Sequence, residues 1–140
     1  MKVAKLATAA FVPTRGTEGS AGLDLYSIES IKIEPGQRAL VATGIAVAIP
    51  DGCVGHLNSR SGLAAKHGIF VLNAPGIIDS DYRGEIKVIL YNSSLEPFNV
   101  EVGMRIGQLV VLEYKKLEPE LVESLSETVR GAGGFGSTGN

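Results

Sequence analysis

The sequence predicts an all-β fold, an antiparallel barrel or sandwich of short strands with at most one short helix. Three observations carry this. The 140 residues include 18 glycines, well above the average share of about 7%, and with six prolines these cut the chain into short pieces. Between the breaks lie β-branched or alternating runs of strand length. Helical periodicity is scarce, and many short strands separated by regular turns suit closed or stacked antiparallel sheets.

Taken in order, MKVAKLATAAFVP opens with two lysines and a short, broken apolar stretch, so Val3 and Leu6 suit a first strand better than a signal peptide. AGLDLYS (21–27) alternates Leu23 and Leu25 against Asp24 and Tyr26, a half-buried strand. IKIEP (31–35), RALVATGIAVAIP (38–50), EIKVILYN (85–92) and RIGQLVVLEY (105–114) are the clearest strands. Cys53, between Gly52 and Val54, is a strand residue with no adjacent base to make it a nucleophile. SGLAAKHG (61–68) suits one or two helical turns ending at Gly68, and PELVESLSE (119–127) has a helix-forming composition.

Composition bounds the function. One domain is expected at this length, with residues 1–129 as its body and 130–140 as a Gly-rich segment of the same domain. No 18-residue apolar run is present, so no membrane span is expected. The single cysteine excludes an internal disulfide and fits a reducing compartment. No targeting segment is recognised, and the cytoplasm, or the nucleus or a virus-infected cell, is the expected location. A net charge of −2 gives no reason to expect a nucleic-acid partner. Four of the six arginines (Arg60, Arg83, Arg105 and Arg130) sit in Gly- or Ser-containing segments, which favours small anionic ligands.

Several constellations hold candidate chemistry. VLNAPGIIDSDYRGE (71–85) has a Pro-Gly turn at 75–76 and two acids two residues apart. In a strand, Asp79 and Asp81 would share one face and Tyr82 the other. That suits a general base or metal site, while a turn with Asp side chains capping amides is the plainer alternative. Arg60, Ser61 and Gly62 precede a helical turn and supply the parts of a phosphate clamp, or a serine cap beside a surface arginine. Asp24 is either a structural acceptor or a holder of metal-bound water. Gln108 lines a polar site or a solvent face. His56 and His67 lack the companions of a zinc set. RGAGGFGSTG (130–139) resembles a Walker-type loop, with Ser137 where the lysine belongs and no apolar strand before it. It suits a mobile lid, whose glycine amides approach oxyanions closely, or a flexible tail.

In this order the blocks are similar to the five motifs of the trimeric dUTP pyrophosphatases (dUTPases). AGLDLYS resembles the first, SRSGLA (59–64) the second, NAPGIIDSDYRGE (73–85) the third, MRIGQLV (104–110) the fourth and RGAGGFGSTG the fifth. The resemblance spans Asp24 to Gly139. It implies a distorted, jelly-roll-like antiparallel barrel, a homotrimer, and hydrolysis of dUTP to dUMP and pyrophosphate by water attacking the α-phosphorus. That reaction keeps uracil out of DNA and supplies dUMP for thymidylate synthesis.

The resemblance assigns roles by position. Asp79 matches the aspartate that orients and deprotonates the water. Tyr82 matches the ring beneath the deoxyribose, where a 2′-hydroxyl would collide. Asn73 and the backbone of Gly76, Ile77 and Ile78 match the uracil reader, a tight hairpin that leaves cytosine groups unpaired and no room for thymine's methyl. Lys87 matches a position that borders this pocket or is an exposed strand lysine. Arg60, Ser61, Gly62 and Gln108 match phosphate contacts. Mg²⁺ is carried by the triphosphate, and Asp24 touches its waters with no direct protein ligand. Arg130, Phe135 and Gly136 match a lid closing over a neighbouring subunit's site, and about ten residues at up to roughly 3.3 Å each can reach across an interface. Ser59 stands where proline is common and Gly107 where alanine is common, neither a reacting group. Asp81 receives no role, and Arg83 and Arg105 are expected in scaffold ion pairs. The alternatives are a dCTP deaminase-related enzyme, with Glu85 as the only nearby proton shuttle, and a catalytically idle dUTPase-like binding module.

Overall fold

The computed structural model describes residues 1–134. It is β-rich, with eleven strands and one helix among the described residues. The strands are β1 (Lys2–Lys5), β2 (Leu23–Tyr26), β3 (Ile31–Ile33), β4 (Arg38–Ala42), β5 (Ile45–Ala48), β6 (Cys53–Asn58), β7 (Ile69–Val71), β8 (Gly76–Ile78), β9 (Lys87–Asn92), β10 (Phe98–Val100) and β11 (Arg105–Glu113). Helix α1 spans Ser61–His67. Every strand pairing is antiparallel. The strands form four open sheets, ordered β2-β11-β6-β8, β4-β9-β7, β1-β5 and β10-β3.

Alternation decides which side of each strand is buried. In β9, Val88, Leu90 and Asn92 point inward while Lys87, Ile89 and Tyr91 do not. Leu25, Leu57, Leu90, Ile106 and Leu109 from four strands join one core cluster, and each such side chain contributes roughly 1.5–3 kcal/mol on burial. Asn92 is fully buried but satisfied. Its amide donates to the carbonyls of Ile33 (2.9 Å) and Glu96 (2.8 Å), and its Oδ1 accepts from the Ser94 amide (2.9 Å) and hydroxyl (2.7 Å).

The long run 38–50 is two strands, because Gly44 between them adopts φ 65°, a left-handed conformation that side chains disfavour. A Cβ there would also lie 3.0 Å from Ala10 and Ile28 side-chain carbons. The helix expected from 61–68 forms and ends at Gly68 (φ 66°), whose amide reaches the Ala64 and Leu63 carbonyls. The helical composition of 119–127 does not produce a helix. Residues 114–134 carry neither strand nor helix and are almost entirely exposed. A short helix needs an apolar face packed on something, and here Leu117, Leu121, Leu125 and Val129 are 79% to 112% exposed.

The tight hairpin expected around Pro75-Gly76 is also different. β7 pairs with β9 and β8 with β6, so residues 72–75 turn a corner between two sheets.

Candidate active site

The third motif builds one wall of a cleft. β8 lies at the edge of its sheet, paired on one side with β6 in the register Leu57↔Gly76, His56↔Ile77, Gly55↔Ile78. Gly76 is buried against Asn73, and an added Cβ would sit 3.1 Å from the Asn73 amide nitrogen. Asn73 itself is exposed. Past Ile78 the chain leaves the strand, and the Tyr82 amide donates to the Asp79 carbonyl (3.2 Å) to close a turn. Asp79 and Asp81 therefore do not share a strand face; they sit on a turn. Arg83 fastens it by donating to the carbonyls of Ser80 (2.6 Å) and Tyr82 (2.8 Å), so its role is backbone bracing and not the ion pair expected. Asp79's carboxylate has no hydrogen-bond partner among the described residues, which leaves it open to water.

This cleft, about 530 Å³, is lined by Leu40, Ile77, Ile78, Asp79, Tyr82, Glu85, Ile86 and Lys87. Tyr82 donates from its hydroxyl to the Glu85 carbonyl (3.0 Å). The Glu85 carboxylate accepts from the Gly44 amide (2.8 Å) and pairs with Lys87 at 3.5 Å. Lys87 thus borders the pocket while tied to Glu85. Leu40 was missed from sequence. Its signal was parity: it is a large apolar side chain on the outward side of β4, 57% exposed, as is Ile77 at 56%.

The first, second and fourth motifs form a separate cluster. Gln108 on β11 lies between Asp24 of β2 and Asn58 of β6. A one-residue irregularity between Arg105 and Gly107 sets this register; an unbroken ladder from Arg105↔Tyr26 would place Gln108 opposite Leu23 instead. Gln108 donates to the Ser59 carbonyl (2.9 Å), and the Ser59 hydroxyl accepts from the Val71 amide (2.9 Å). Asp24, with 15% of its side chain exposed, accepts from Arg60 Nε on one oxygen (3.1 Å) and from Arg105 Nη1 on the other (3.2 Å). Arg60 Nη1 also donates to the Arg105 carbonyl (3.1 Å). Arg105 is the scaffold ion pair expected. Arg60 takes the N-cap position without a side-chain cap bond, so Ser61 is the first helical residue and not the cap. Ser61 and Gly62 are exposed there. A second cleft, about 380 Å³, is lined by Gly16, Ser20, Ala21, Gly22, Asp24, Asn58, Gln108 and Val110.

The two clefts share no lining residue. Arg130 is exposed and donates from Nε to the Gly133 carbonyl in its own loop (2.8 Å). Phe135 and Gly136 lie outside the described residues. No group of three or more His, Cys, Asp or Glu side chains that could hold a metal occurs among the described residues. Asp24, with both oxygens taken by arginines, still has a second lone pair on each for a water donor. Such an arrangement offers no cage for a bare cation and suits one that arrives on a triphosphate with its waters. No helix among the described residues is long and apolar enough to cross a membrane.

A sequence model described as dUTPase matches residues 8–139. The chain belongs to the dUTPase family. Relatives agree over nearly the whole length. The deoxyuridine 5′-triphosphate nucleotidohydrolase of Wolinella succinogenes is 53% identical, covering 99% of this chain and 93% of that protein. The one from Nautilia profundicola is 52% identical, covering 99% and 98%. Among solved structures, a mutant dUTPase of Staphylococcus bacteriophage 80alpha with dUpNHpp superposes with TM-score 0.93 at 30% identity, covering 99% of this chain and 98% of that one. A mutant dUTPase from phage phi11 of S. aureus, described with a structural Mg(II) ion, gives 0.81 at 28% identity, covering 88% and 96%.

Proposed function

We propose that this chain hydrolyses dUTP to dUMP and pyrophosphate, at sites completed between copies of the chain. The observation that carries the reading is the first cleft, which sets a carboxylate with no hydrogen-bond partner among the described residues beside a tyrosine ring and an open backbone edge. Uracil presents an acceptor–donor–acceptor edge, and the outer edge of β8 offers the amides and carbonyls that complement it. Cytosine inverts part of that pattern and leaves buried groups unpaired. The Tyr82 ring supports the deoxyribose and excludes a 2′-hydroxyl.

Asp79 orients a water and takes its proton as the water oxygen bonds the α-phosphorus. The α–β bridging oxygen leaves with pyrophosphate. Arg60, with Ser61, Gly62 and Gln108, holds the phosphate chain, and positioning with charge stabilisation supplies most of the rate. Asp24 holds Arg60 and would accept hydrogen bonds from waters of a Mg²⁺ brought in by the triphosphate. That ion neutralises phosphate charge when bound. Lys87 borders the base pocket.

A single chain leaves Asp79 in one cleft and Arg60, Asp24 and Gln108 around another. A closed symmetric assembly that sets the first cleft of one copy against the second of its neighbour unites them. The exposed arm supports this, since Leu117, Leu121, Leu125 and Val129 contribute roughly 1.5–3 kcal/mol each if a neighbour covers them. We read the assembly as a homotrimer of distorted, jelly-roll-like barrels, with residues 1–129 as the body. Residues 130–140 form the lid, bringing Arg130 to the phosphates and Phe135 and Gly136 over the base.

Hydrolysis in ¹⁸O-enriched water tests the point of attack. The label is expected in dUMP; label in pyrophosphate would place attack on the β-phosphorus and overturn the assignment.

A further inference from the structure

We propose that Gly84 is a positioning residue for sugar discrimination, acting through the Tyr82 ring; the proposal rests on the reading of Tyr82 given above. The ring folds back over its own chain and lies against Gly84. A Cβ built on Gly84 would be 2.6 Å from Tyr82 Cζ and 3.0 Å from Cε2, and the phenol oxygen would be closer still. Real Cβ atoms do not approach carbon that closely, so any side chain at 84 displaces the ring.

The reason for glycine here is space and not backbone conformation. Gly84 is not among the glycines with positive φ, so alanine suits its backbone, and the three atoms nearest its Cβ all belong to Tyr82. The same end of the ring is held by its hydroxyl, which donates to the Glu85 carbonyl (3.0 Å). Glu85 is itself fixed, its carboxylate accepting from the Gly44 amide (2.8 Å) and pairing with Lys87 (3.5 Å). Tyr82 is 43% exposed, so packing alone does not immobilise it. The seat is therefore the missing side chain at 84 against the hydroxyl end of the ring and the Glu85 carbonyl that its hydroxyl reaches. A displaced ring swings into the cleft or into solvent, and in either case no longer meets a 2′-hydroxyl at the same place.

Two readouts test this on the full-length chain. With fluorotyrosine incorporated, the four tyrosines give four fluorine resonances, and Tyr82→Phe identifies the one from Tyr82. Gly84→Ala is expected to move that resonance and leave the other three in place. An unmoved Tyr82 resonance overturns the proposal whatever the enzyme does, so it fails separately from the assigned reaction. The second readout is the ratio of kcat/KM for dUTP over UTP. Gly84→Ala is expected to lower it roughly tenfold or more, mostly through better use of UTP and a raised KM for dUTP, as for the loss of one steric contact in a specificity pocket. In a Tyr82→Ala background the same substitution is expected to change the ratio less than about twofold, because the two act through one ring. An equal fall in both backgrounds overturns the proposal. If Gly84→Ala does not fold, recovery of folding by adding Tyr82→Ala supports the ring seat, and no recovery overturns it.

Discussion

Arg60→Ala and Asp79→Asn disable different clefts, and this makes their mixture informative. In a site drawn from two copies, the Arg60 side comes from one subunit and the Asp79 side from its neighbour. An assembly built at random from equal amounts of the two variants takes an intact Arg60 side with a chance of one half, and an intact Asp79 side with a chance of one half. About a quarter of all sites are then fully wild-type, and the mixture should work at roughly 25% of the wild-type rate. Each variant alone should fall by about 10² or more, since one loses the base and the other a charged phosphate contact. Asp79→Asn should not disturb the fold, since Asp79 is exposed and makes no side-chain bond among the described residues. Arg60→Ala removes one of the two arginines on Asp24 and the bond to the Arg105 carbonyl, a loss of about 1–3 kcal/mol that should lower stability without unfolding the chain. The assay is pyrophosphate release after co-expression, with mixed assembly checked by native mass spectrometry and unexchanged homo-assemblies as control. Mixed assemblies no more active than the two parents would refute the shared site and return both clefts to one chain.

Asp79→Asn alone should bind dUTP, unfold within about 0.5 kcal/mol of wild type, and lose about 10²–10⁴ in kcat; near-normal turnover would remove Asp79 from its role. Asp24→Asn takes the charge from the acceptor shared by Arg60 and Arg105. It should cost about 1–3 kcal/mol in urea unfolding and raise the KM for dUTP, and an unchanged KM would separate Asp24 from the phosphate site. Truncation after Thr128 should leave a folded protein with severely reduced activity, because the last strand among the described residues ends at Glu113 and the removed segment is the proposed gate. A collapse of thermal stability would instead assign that segment to the core.

Local patterning carried most of the fold. The runs 31–35, 85–92 and 105–114 hold strands at 31–33, 87–92 and 105–113, and Gly68 ended the helix as read. Pairing was not legible, because β2, β6 and β11 meet across distant parts of the chain and no local signal reports register. The same blindness made a hairpin of the Pro-Gly turn at 75–76 and the backbone of Gly76 to Ile78, where the chain turns a corner between two sheets. The helix-forming composition of 119–127 suggested a helix for which the described residues provide no packing partner. For the site, residue types left Asp79 and Arg60 open between chemistry and structure, and the resemblance to the family's motifs singled them out together with Tyr82. The division into two clefts, the double hold on Asp24 and the Glu85 anchor emerge only in three dimensions. Leu40 escaped because an outward apolar residue in a short strand is ordinary on a protein surface.

The most direct measurement is pyrophosphate release with Mg²⁺ from dUTP, dCTP, dTTP and UTP side by side. Release from dUTP, with the other three far slower, is the predicted result, joining the reaction to base reading by β8 and sugar exclusion by Tyr82. Silence on all four with dUTP still bound would contradict it and leave a binding module, and ammonia released from dCTP would indicate a deaminase.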